Sequence, residues 1–156
     1  MDREQEDLRR IRENADLVVA QLGAESGLER FGFDAPSVAW VEGFIERQRV
    51  REDASPELVE RLVSVLGSYL GECVVRSHGG RWSCGDDGWC VAFDEKNAVF
   101  PFAKVRKQFA HGKDGGDGVH GFFTMIPLVF FAGAEQAEPA GWFARISRWF
   151  TKEDSK

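Results

Sequence analysis

The sequence lacks the features that would indicate secretion or a membrane span. Its first residues, MDREQEDLRR, are charged and contain no apolar segment of the kind that a signal peptide needs. Its three cysteines are odd in number, so they cannot all pair within one molecule. The longest apolar stretch, residues 119–134, is interrupted by His120 and Pro127, which leaves it below the roughly 18 to 20 residues of a bilayer span. We therefore expect a cytoplasmic protein in which this stretch is buried.

Basic side chains are outnumbered in this chain. There are 20 Lys and Arg against 26 Asp and Glu, a net charge of −6. The deficit lies in residues 1–60, which carry 8 basic and 15 acidic side chains, whereas residues 61–156 carry 12 and 11. This balance is unlike that of a basic protein wrapped on nucleic acid. An acidic N-terminal region of this kind either keeps a protein soluble or binds a cationic partner.

Hydrophobic residues make up 43% of the 156 residues, enough for the core of one domain, which excludes wholesale disorder. From Leu8 to Leu22 they recur at steps of three and four, which predicts an amphipathic helix. Gly23 and Gly27 are expected to end it. The first part of the domain is therefore predicted to be helical.

Two further helices have clear start signals. Asp34 is a typical N-cap residue, and Pro36 follows in the first turn, where its missing N–H costs nothing. This second helix is expected to stop near Val50. Ser55 as N-cap and Pro56 at the first helical position then start a third, long helix. It contains Gly67 and Gly71, each of which costs about 1 kcal/mol relative to alanine. That cost indicates close packing, expected against a hairpin that carries Trp82 and Trp89.

After residue 78 the hydrophobic period changes from near 3.6 to near 2. Three short alternating segments predict the strands of an antiparallel meander, over residues 80–83, 89–93 and 98–100. A turn over 84–88 joins the first two, with Asp87-Gly88 favouring a left-handed residue. Pro101 blocks further pairing and can start a helix over residues 102–111.

The remaining residues predict a loop, a buried helix and an appendage. Residues 112–118, GKDGGDG, predict a flexible loop because four of the seven are glycine. Residues 119–131 predict a buried helix, bent or ended at its proline. Residues 132–141 have the composition of a tether, and 142–156 predict an amphipathic helix. The expected fold is a single α+β domain over residues 1–131, with N-terminal helices, a three-stranded antiparallel meander, further helices and a C-terminal amphipathic helix.

The central block contains four motifs: Leu66-Gly-Ser-Tyr-Leu-Gly-Glu72, Gly79-Gly-Arg-Trp82, Phe100-Pro-Phe-Ala-Lys-Val105 and Phe122-Phe123. In order and spacing they resemble a group of small bacterial domains of unknown function. The resemblance spans residues 55–130 and implies a helix, a strand and a helix start at the first three motifs. It implies no activity or site residues. A small acidic protein of this architecture is also similar in type, without a shared motif, to bacterial toxin-neutralising immunity proteins.

Cysteine and histidine are the candidates for chemistry. His78, Cys84 and Cys90 are spaced six apart and, with His111, are candidate metal ligands. Structural zinc sites normally use close Cys-x(2–4)-Cys pairs, whereas the nearest pair here is Cys-x5-Cys. Free thiols, a disulfide between Cys84 and Cys90, and a zinc site remain as alternatives. Cys90, His111 and Asp94 could formally supply a nucleophile, a base and an orienting group.

A basic run over residues 96–113 contains five Lys and Arg, no acidic residue and interleaved phenylalanines. Cations alternating with aromatics are typical of single-stranded nucleic-acid binding. The alternative is an ordinary amphipathic helix. Its two faces would be the buried Phe102, Val105 and Phe109 and the solvated Lys104, Lys107 and Gln108.

The C-terminal segment combines bulky apolar residues at helical offsets with cations elsewhere on the helical wheel. Folding back onto the domain is the interpretation that the pattern favours, and docking on a partner protein or lying on a membrane surface are the alternatives. The partner-binding candidates are Trp142, Phe143, Arg145, Ile146, Arg148, Trp149 and Phe150.

The function that the sequence favours is that of a non-enzymatic bacterial protein-binding module of the immunity (toxin-neutralising) type, working without a cofactor. Its acidic N-terminal helices or its aromatic C-terminal segment would engage another protein. The alternatives are a zinc-binding or Cys/His-dependent enzyme, and a weak nucleic-acid or membrane-surface binder.

Overall fold

The computed structural model describes residues 2–131, and within them five α-helices pack around a three-stranded antiparallel sheet. In chain order the elements are α1 (Arg3–Ser26), α2 (Ala35–Arg49), α3 (Pro56–His78), β1 (Arg81–Gly85), β2 (Gly88–Ala92), β3 (Ala98–Val99), α4 (Pro101–His111) and α5 (Val119–Ile126). A 3-10 turn, Lys113–Gly115, and a π-helical turn, Pro127–Phe131, complete the described chain. The predicted α+β fold and the order of its helices and meander are confirmed.

The helix starts follow from local hydrogen bonding. The side chains of Asp34 and Ser55 each accept the backbone N–H three residues ahead, at 3.0 and 3.1 Å, so α2 and α3 begin where predicted. Helix α1 continues through Gly23 and ends at Gly27, which has a φ of 71°. Gly23 remains helical because its missing side chain admits Phe31, whose Cβ would lie 3.3 Å from an added Cβ.

The hairpin is tighter than the sequence indicates. The β1–β2 ladder continues to the pair Gly85 and Gly88, so the turn consists of two residues, Asp86 and Asp87, and not five. Gly88 has the predicted left-handed backbone, with a φ of 95°. Strand β3 is only two residues long and pairs with the end of β2.

Helix α3 is the centre of the domain, because it contacts α1, α4, α5 and the hairpin. All nine residues from Leu66 to Val74 are buried. Two of the polar residues among them bond to other elements: the Tyr69 hydroxyl donates to the Gly32 carbonyl at 2.7 Å, and the Glu72 carboxylate accepts the indole N–H of Trp82 at 2.8 Å. The central helix is therefore held to both the α1–α2 loop and the sheet.

Two aromatic rings lie directly on the glycines of α3. A Cβ on Gly71 would lie 2.0 Å from the ring of Trp82, and one on Gly67 would lie 2.3 Å from the ring of Phe102. Neither glycine has a positive φ, so the missing side chain is what these positions require. The predicted close packing is confirmed, although only Gly71 faces the hairpin and Gly67 faces α4.

The sequence prediction for α4 is wrong about its solvated face. Lys104, Lys107 and Gln108 are buried, with 1%, 4% and 0% of their surface exposed. Helix α4 contacts α2, α3 and α5, so it is enclosed on more than the one side that a simple amphipathic pattern implies. Its buried polar groups are tolerated because they have hydrogen-bond partners.

The most buried of these contacts is an ion pair. The ammonium of Lys104 lies 3.0 Å from one carboxylate oxygen of Asp117, and His111 Nδ1 lies 2.9 Å from the other. Both the Lys104 and Asp117 side chains are almost fully enclosed. The side-chain amide of Gln108 donates to the Glu42 carbonyl at 3.0 Å and to the Glu46 carboxylate at 2.8 Å. These contacts join α4 to α2 and to the segment that follows it.

The segment over residues 112–118 is therefore not the open loop that its glycines predict. It contains a 3-10 turn and the buried Asp117. The Glu46 carboxylate accepts the N–H of Lys113 at 3.1 Å. Gly118 is needed because an added Cβ would lie 2.1 Å from a carboxylate oxygen of Glu42.

The apolar stretch that follows forms α5, whose Val119, Phe122, Phe123 and Ile126 are buried as predicted. Pro127 ends α5. Within residues 2–131, no helix has the length and apolarity needed to cross a membrane. The predicted tether over 132–141 and the C-terminal helix over 142–156 lie outside the described residues.

The close contact at Gly71 predicts a large effect of one methyl group. Gly71→Ala should lower the free energy of unfolding by about 1–3 kcal/mol, because the ring of Trp82 must move. Gly43→Ala in α2 is the matched control, since its Cβ would meet only the mobile end of Arg47, and it should raise that free energy by about 0.5–1 kcal/mol. Urea unfolding measures both. Equal effects of the two variants would contradict the packing argument.

The buried ion pair predicts a second pair of variants. Lys104→Met leaves Asp117 buried without its ammonium and should lower the free energy of unfolding by about 3–5 kcal/mol. Arg106→Met removes the exposed pair with Glu60 and should cost less than about 1 kcal/mol. Denaturant titration of both proteins is the measurement. A loss below 1 kcal/mol for Lys104→Met would show that the pair is not a structural requirement.

Candidate functional site

The four candidate metal ligands are not brought together. The β1–β2 register pairs Cys84 with Trp89 and Cys90 with Ser83, so the two thiols lie on opposite faces of the hairpin, and both are free. Within residues 2–131, no group of three or more His, Cys, Asp or Glu side chains could hold a metal ion. The zinc site and the Cys84–Cys90 disulfide are both without a geometric basis here.

The two histidines among these candidates each have a structural partner. His78 Nε2 donates to the carbonyl of Phe123 at 3.1 Å and joins the end of α3 to α5. Burial lowers the pKa of His78. His111 pairs with the buried carboxylate of Asp117. Neither ring is directed at a thiol.

Within the formal set of Cys90, His111 and Asp94, the histidine and the aspartate each have other hydrogen-bond partners. Asp94 accepts hydrogen bonds from the side-chain amide of Asn97 and from the backbone N–H groups of Lys96 and Asn97, and these bonds lower the pKa of its carboxyl. Burial raises the pKa of the Cys90 thiol, which disfavours the reactive thiolate. Cys73 is fully buried, and its pKa is raised to about 12.

The basic run over residues 96–113 does not form one open cationic surface. Lys104 and Lys107 are interior, and the guanidinium of Arg106 is paired with Glu60. These are the central cations of the run, so the alternation with phenylalanine reflects the packing of α4. The pattern typical of nucleic-acid binding here results from a helix enclosed by the core.

A cleft of about 190 Å³ lies where α1, α3, β2 and α4 meet. Its polar rim comes from one stripe of α1, in which Asp7, Arg10 and Asn14 follow one another by about a helical turn. Ser64 and Ser68 of α3 form the opposite side. The apolar floor consists of Ile11, Trp89 and Phe102. We refer to these eight residues as the cleft.

Four polar groups of the cleft have no partner in the described part of the chain. Within residues 2–131, the side chains of Asp7, Arg10 and Asn14 make no hydrogen bond or ion pair with another residue, and the indole N–H of Trp89 has no acceptor. The neighbouring Arg9 contrasts with Arg10, because it is paired with glutamates on both sides, at positions 6 and 13. A concave apolar floor with a few convergent polar groups is the usual form of a ligand site.

A second surface lies at the end of the described chain. Leu128 and Phe131, which we call the apolar end, are 52% and 51% exposed. Phe131 lies against Phe93 at a ring distance of 5.2 Å, so the apolar end borders the end of the hairpin. Large apolar side chains that stay exposed can mark an interaction site.

Neither surface was found from the sequence. The apolar periodicity of α1 predicts its buried side, and nothing in the local sequence indicates that Asp7, Arg10 and Asn14 line a cleft. Leu128 and Phe131 belong to a stretch that the sequence predicts to be buried throughout. The seven partner-binding candidates from Trp142 to Phe150 lie outside the described residues.

No family model, curated protein or solved structure matches this chain. The resemblance of the central motifs to small bacterial domains therefore stays a prediction, and the function must be inferred from the chain's own geometry.

The burial of His78 predicts a pH dependence of the free energy of unfolding. Its folded pKa is lowered, so the folded state binds fewer protons than the unfolded chain below the ordinary histidine pKa of about 6.5. The free energy of unfolding should therefore decrease as the pH falls from above 6.5 to the folded pKa of His78. At pH values below that folded pKa, His78 should cause no further change. Urea unfolding between pH 5 and pH 8 should show this pH-dependent decrease in the native chain, and the decrease should be absent from His78→Gln. The same pH slope in both proteins would contradict it.

Proposed function

We propose that this protein is a cytoplasmic, non-enzymatic binding module that engages another protein through the apolar end and the C-terminal segment that follows it. The observation that carries the proposal is the exposure of Leu128 and Phe131, about half of each side chain, on the last described turn. Elsewhere in the described chain the phenylalanines are buried or half-buried. Large apolar side chains that stay exposed on a folded domain favour association with a partner.

The sequence after Phe131 also contains large apolar side chains. A tether of ten residues, 132–141, leads from the apolar end to the seven partner-binding candidates, which are rich in Trp, Phe and Arg. Trp and Arg are enriched among the residues that dominate protein interfaces. We therefore include this segment in the proposed binding region.

The roles of the reactive side chains support a binding protein over an enzyme. Cys73 is protonated at neutral pH because burial raises its pKa to about 12. His78 donates a hydrogen bond to the carbonyl of Phe123, and His111 pairs with the buried carboxylate of Asp117. These contacts stabilise the domain.

The acidic balance of residues 1–60 favours a cationic partner, since long-range attraction speeds the encounter of opposite charges. A toxin-neutralising protein of bacterial origin is the particular form of the proposal that this charge supports. In that form the α1–α2 side would steer the partner, and the apolar end would supply most of the contact energy.

The proposal is tested by affinity capture from the native host with quantitative mass spectrometry. Leu128→Glu should reduce recovery of the specific partner at least about tenfold, because a carboxylate would be buried at the contact. Deleting residues 141–156 should have a similar effect.

The control is Leu17→Gln, because Leu17 is 48% exposed on α1, far along the chain from the apolar end, and glutamine leaves the charge of the α1–α2 side unchanged. It should leave the recovered partner unchanged. If the same proteins are captured by the native chain, Leu128→Glu and the truncated chain, the apolar end and the C-terminal segment are not the binding region. Circular dichroism confirms that each variant is folded.

A further inference from the structure

We propose that the cleft is a binding site for a small zwitterion, an α-amino acid with an apolar or aromatic side chain. The cleft lies between α1 and the hairpin and contains neither Leu128 nor Phe131. This site is therefore distinct from the protein-binding surface and does not depend on it.

The two charged side chains of the rim, Asp7 and Arg10, favour a ligand that carries both a positive and a negative charge. Asp7 and Arg10 are three residues apart on α1, a spacing at which opposite charges commonly pair, and yet they do not pair with each other. The carboxylate is free to accept an ammonium group, and the guanidinium is free to bind a carboxylate. A ligand with only one charge would meet a like charge on the same rim, which disfavours it.

The neutral groups of the cleft complete the polar recognition. The carboxamide of Asn14 can donate and accept, and the indole N–H of Trp89 can donate to a ligand carboxylate. Ser68 directs its hydroxyl hydrogen to the carbonyl of Ser64 at 2.8 Å, which leaves the hydroxyl oxygen of Ser68 as an acceptor. The cleft thus offers both donors and acceptors around one apolar floor.

The floor and the volume limit what the ligand can be. Ile11, Trp89 and Phe102 offer one aliphatic and two aromatic surfaces to an apolar side chain. A cavity of roughly 150 Å³ accepts benzene, so about 190 Å³ accommodates a ring with a few additional atoms. Sites for drug-sized ligands and cofactors occupy roughly 300–1,000 Å³. The size therefore suits a single amino acid and not a nucleotide.

The rings that form the floor are held in place by the fold. Phe102 packs against Gly67, and Trp82 packs against Gly71. Trp89 contacts the edge of Trp82 at a ring distance of 6.4 Å. A floor positioned by the central helix lowers the ordering cost of binding a small ligand.

The test uses three probes with the full chain: L-phenylalanine, N-acetyl-L-phenylalanine, which lacks the ammonium, and L-phenylalanine amide, which lacks the carboxylate. Binding is followed by the NMR resonance of the Trp89 indole N–H, assigned with Trp89→Phe. L-Phenylalanine should shift this resonance saturably. The acetylated and amidated probes should each bind at least about tenfold more weakly, because each leaves one charge of the rim unpaired.

Two variants test whether Asp7 and Arg10 bind the two charged groups of the ligand. Asp7→Asn and Arg10→Gln should each weaken L-phenylalanine binding at least about tenfold. Asp7→Asn should also stop distinguishing L-phenylalanine from its N-acetyl form. Both side chains lack partners within the described residues, so the thermal midpoint should not change. Arg12→Gln, an exposed arginine on another side of α1, is the control and should bind L-phenylalanine as the native chain does.

Three results would overturn the proposal. The Trp89 resonance does not move with L-phenylalanine, L-leucine or L-tryptophan at millimolar concentration. The amide binds as tightly as the free amino acid, which would make the cleft a site for a peptide N-terminus. Arg10→Gln and Arg12→Gln have equal effects, which would place the ligand elsewhere on the protein.

Discussion

The approach of two aromatic rings to the glycines of α3 is the contact on which the rest of the structure depends. Trp82 lies on Gly71 and Phe102 lies on Gly67, closer than any side chain at those positions would allow. This contact brings the hairpin and α4 onto the same central helix, and it places the Trp82 indole within hydrogen-bonding distance of the buried Glu72. The floor of the cleft forms as a consequence, because Trp89 belongs to the hairpin and Phe102 belongs to α4.

A second constraint is the polar interior around α4. Lys104, Gln108 and Asp117 are buried, and each would be costly without a partner, so the segments that supply those partners have to take one arrangement. The ion pair and the carboxylate contacts of Glu46 turn a glycine-rich segment into an ordered connection between α4 and α5. We infer that this network contributes to the specificity of the fold as well as to its stability, since a half-satisfied buried network is strongly unfavourable.

The two surfaces that we propose for binding differ in chemistry and in origin. The cleft is a concave site with aromatic rings and with charges that are unpaired within residues 2–131, which suits a small, doubly charged ligand. The apolar end consists of exposed side chains at a chain segment that leads into an aromatic, cationic sequence, which suits a macromolecular partner. A protein with both could respond to a metabolite while bound to its partner, and the separate positions of the two surfaces allow each to be tested alone.

The sequence by itself determined the elements whose causes are local. Asp34 and Ser55 cap helices through their own neighbouring backbone, and Gly88 closes a hairpin through its own φ, so α2, α3 and the meander could be predicted. Only the tertiary structure decided that Lys104 is buried and that Asp7 faces Trp89 across a cleft. The reason is that a helical pattern specifies which residues share a side, whereas burial and recognition depend on what distant segments place against that side.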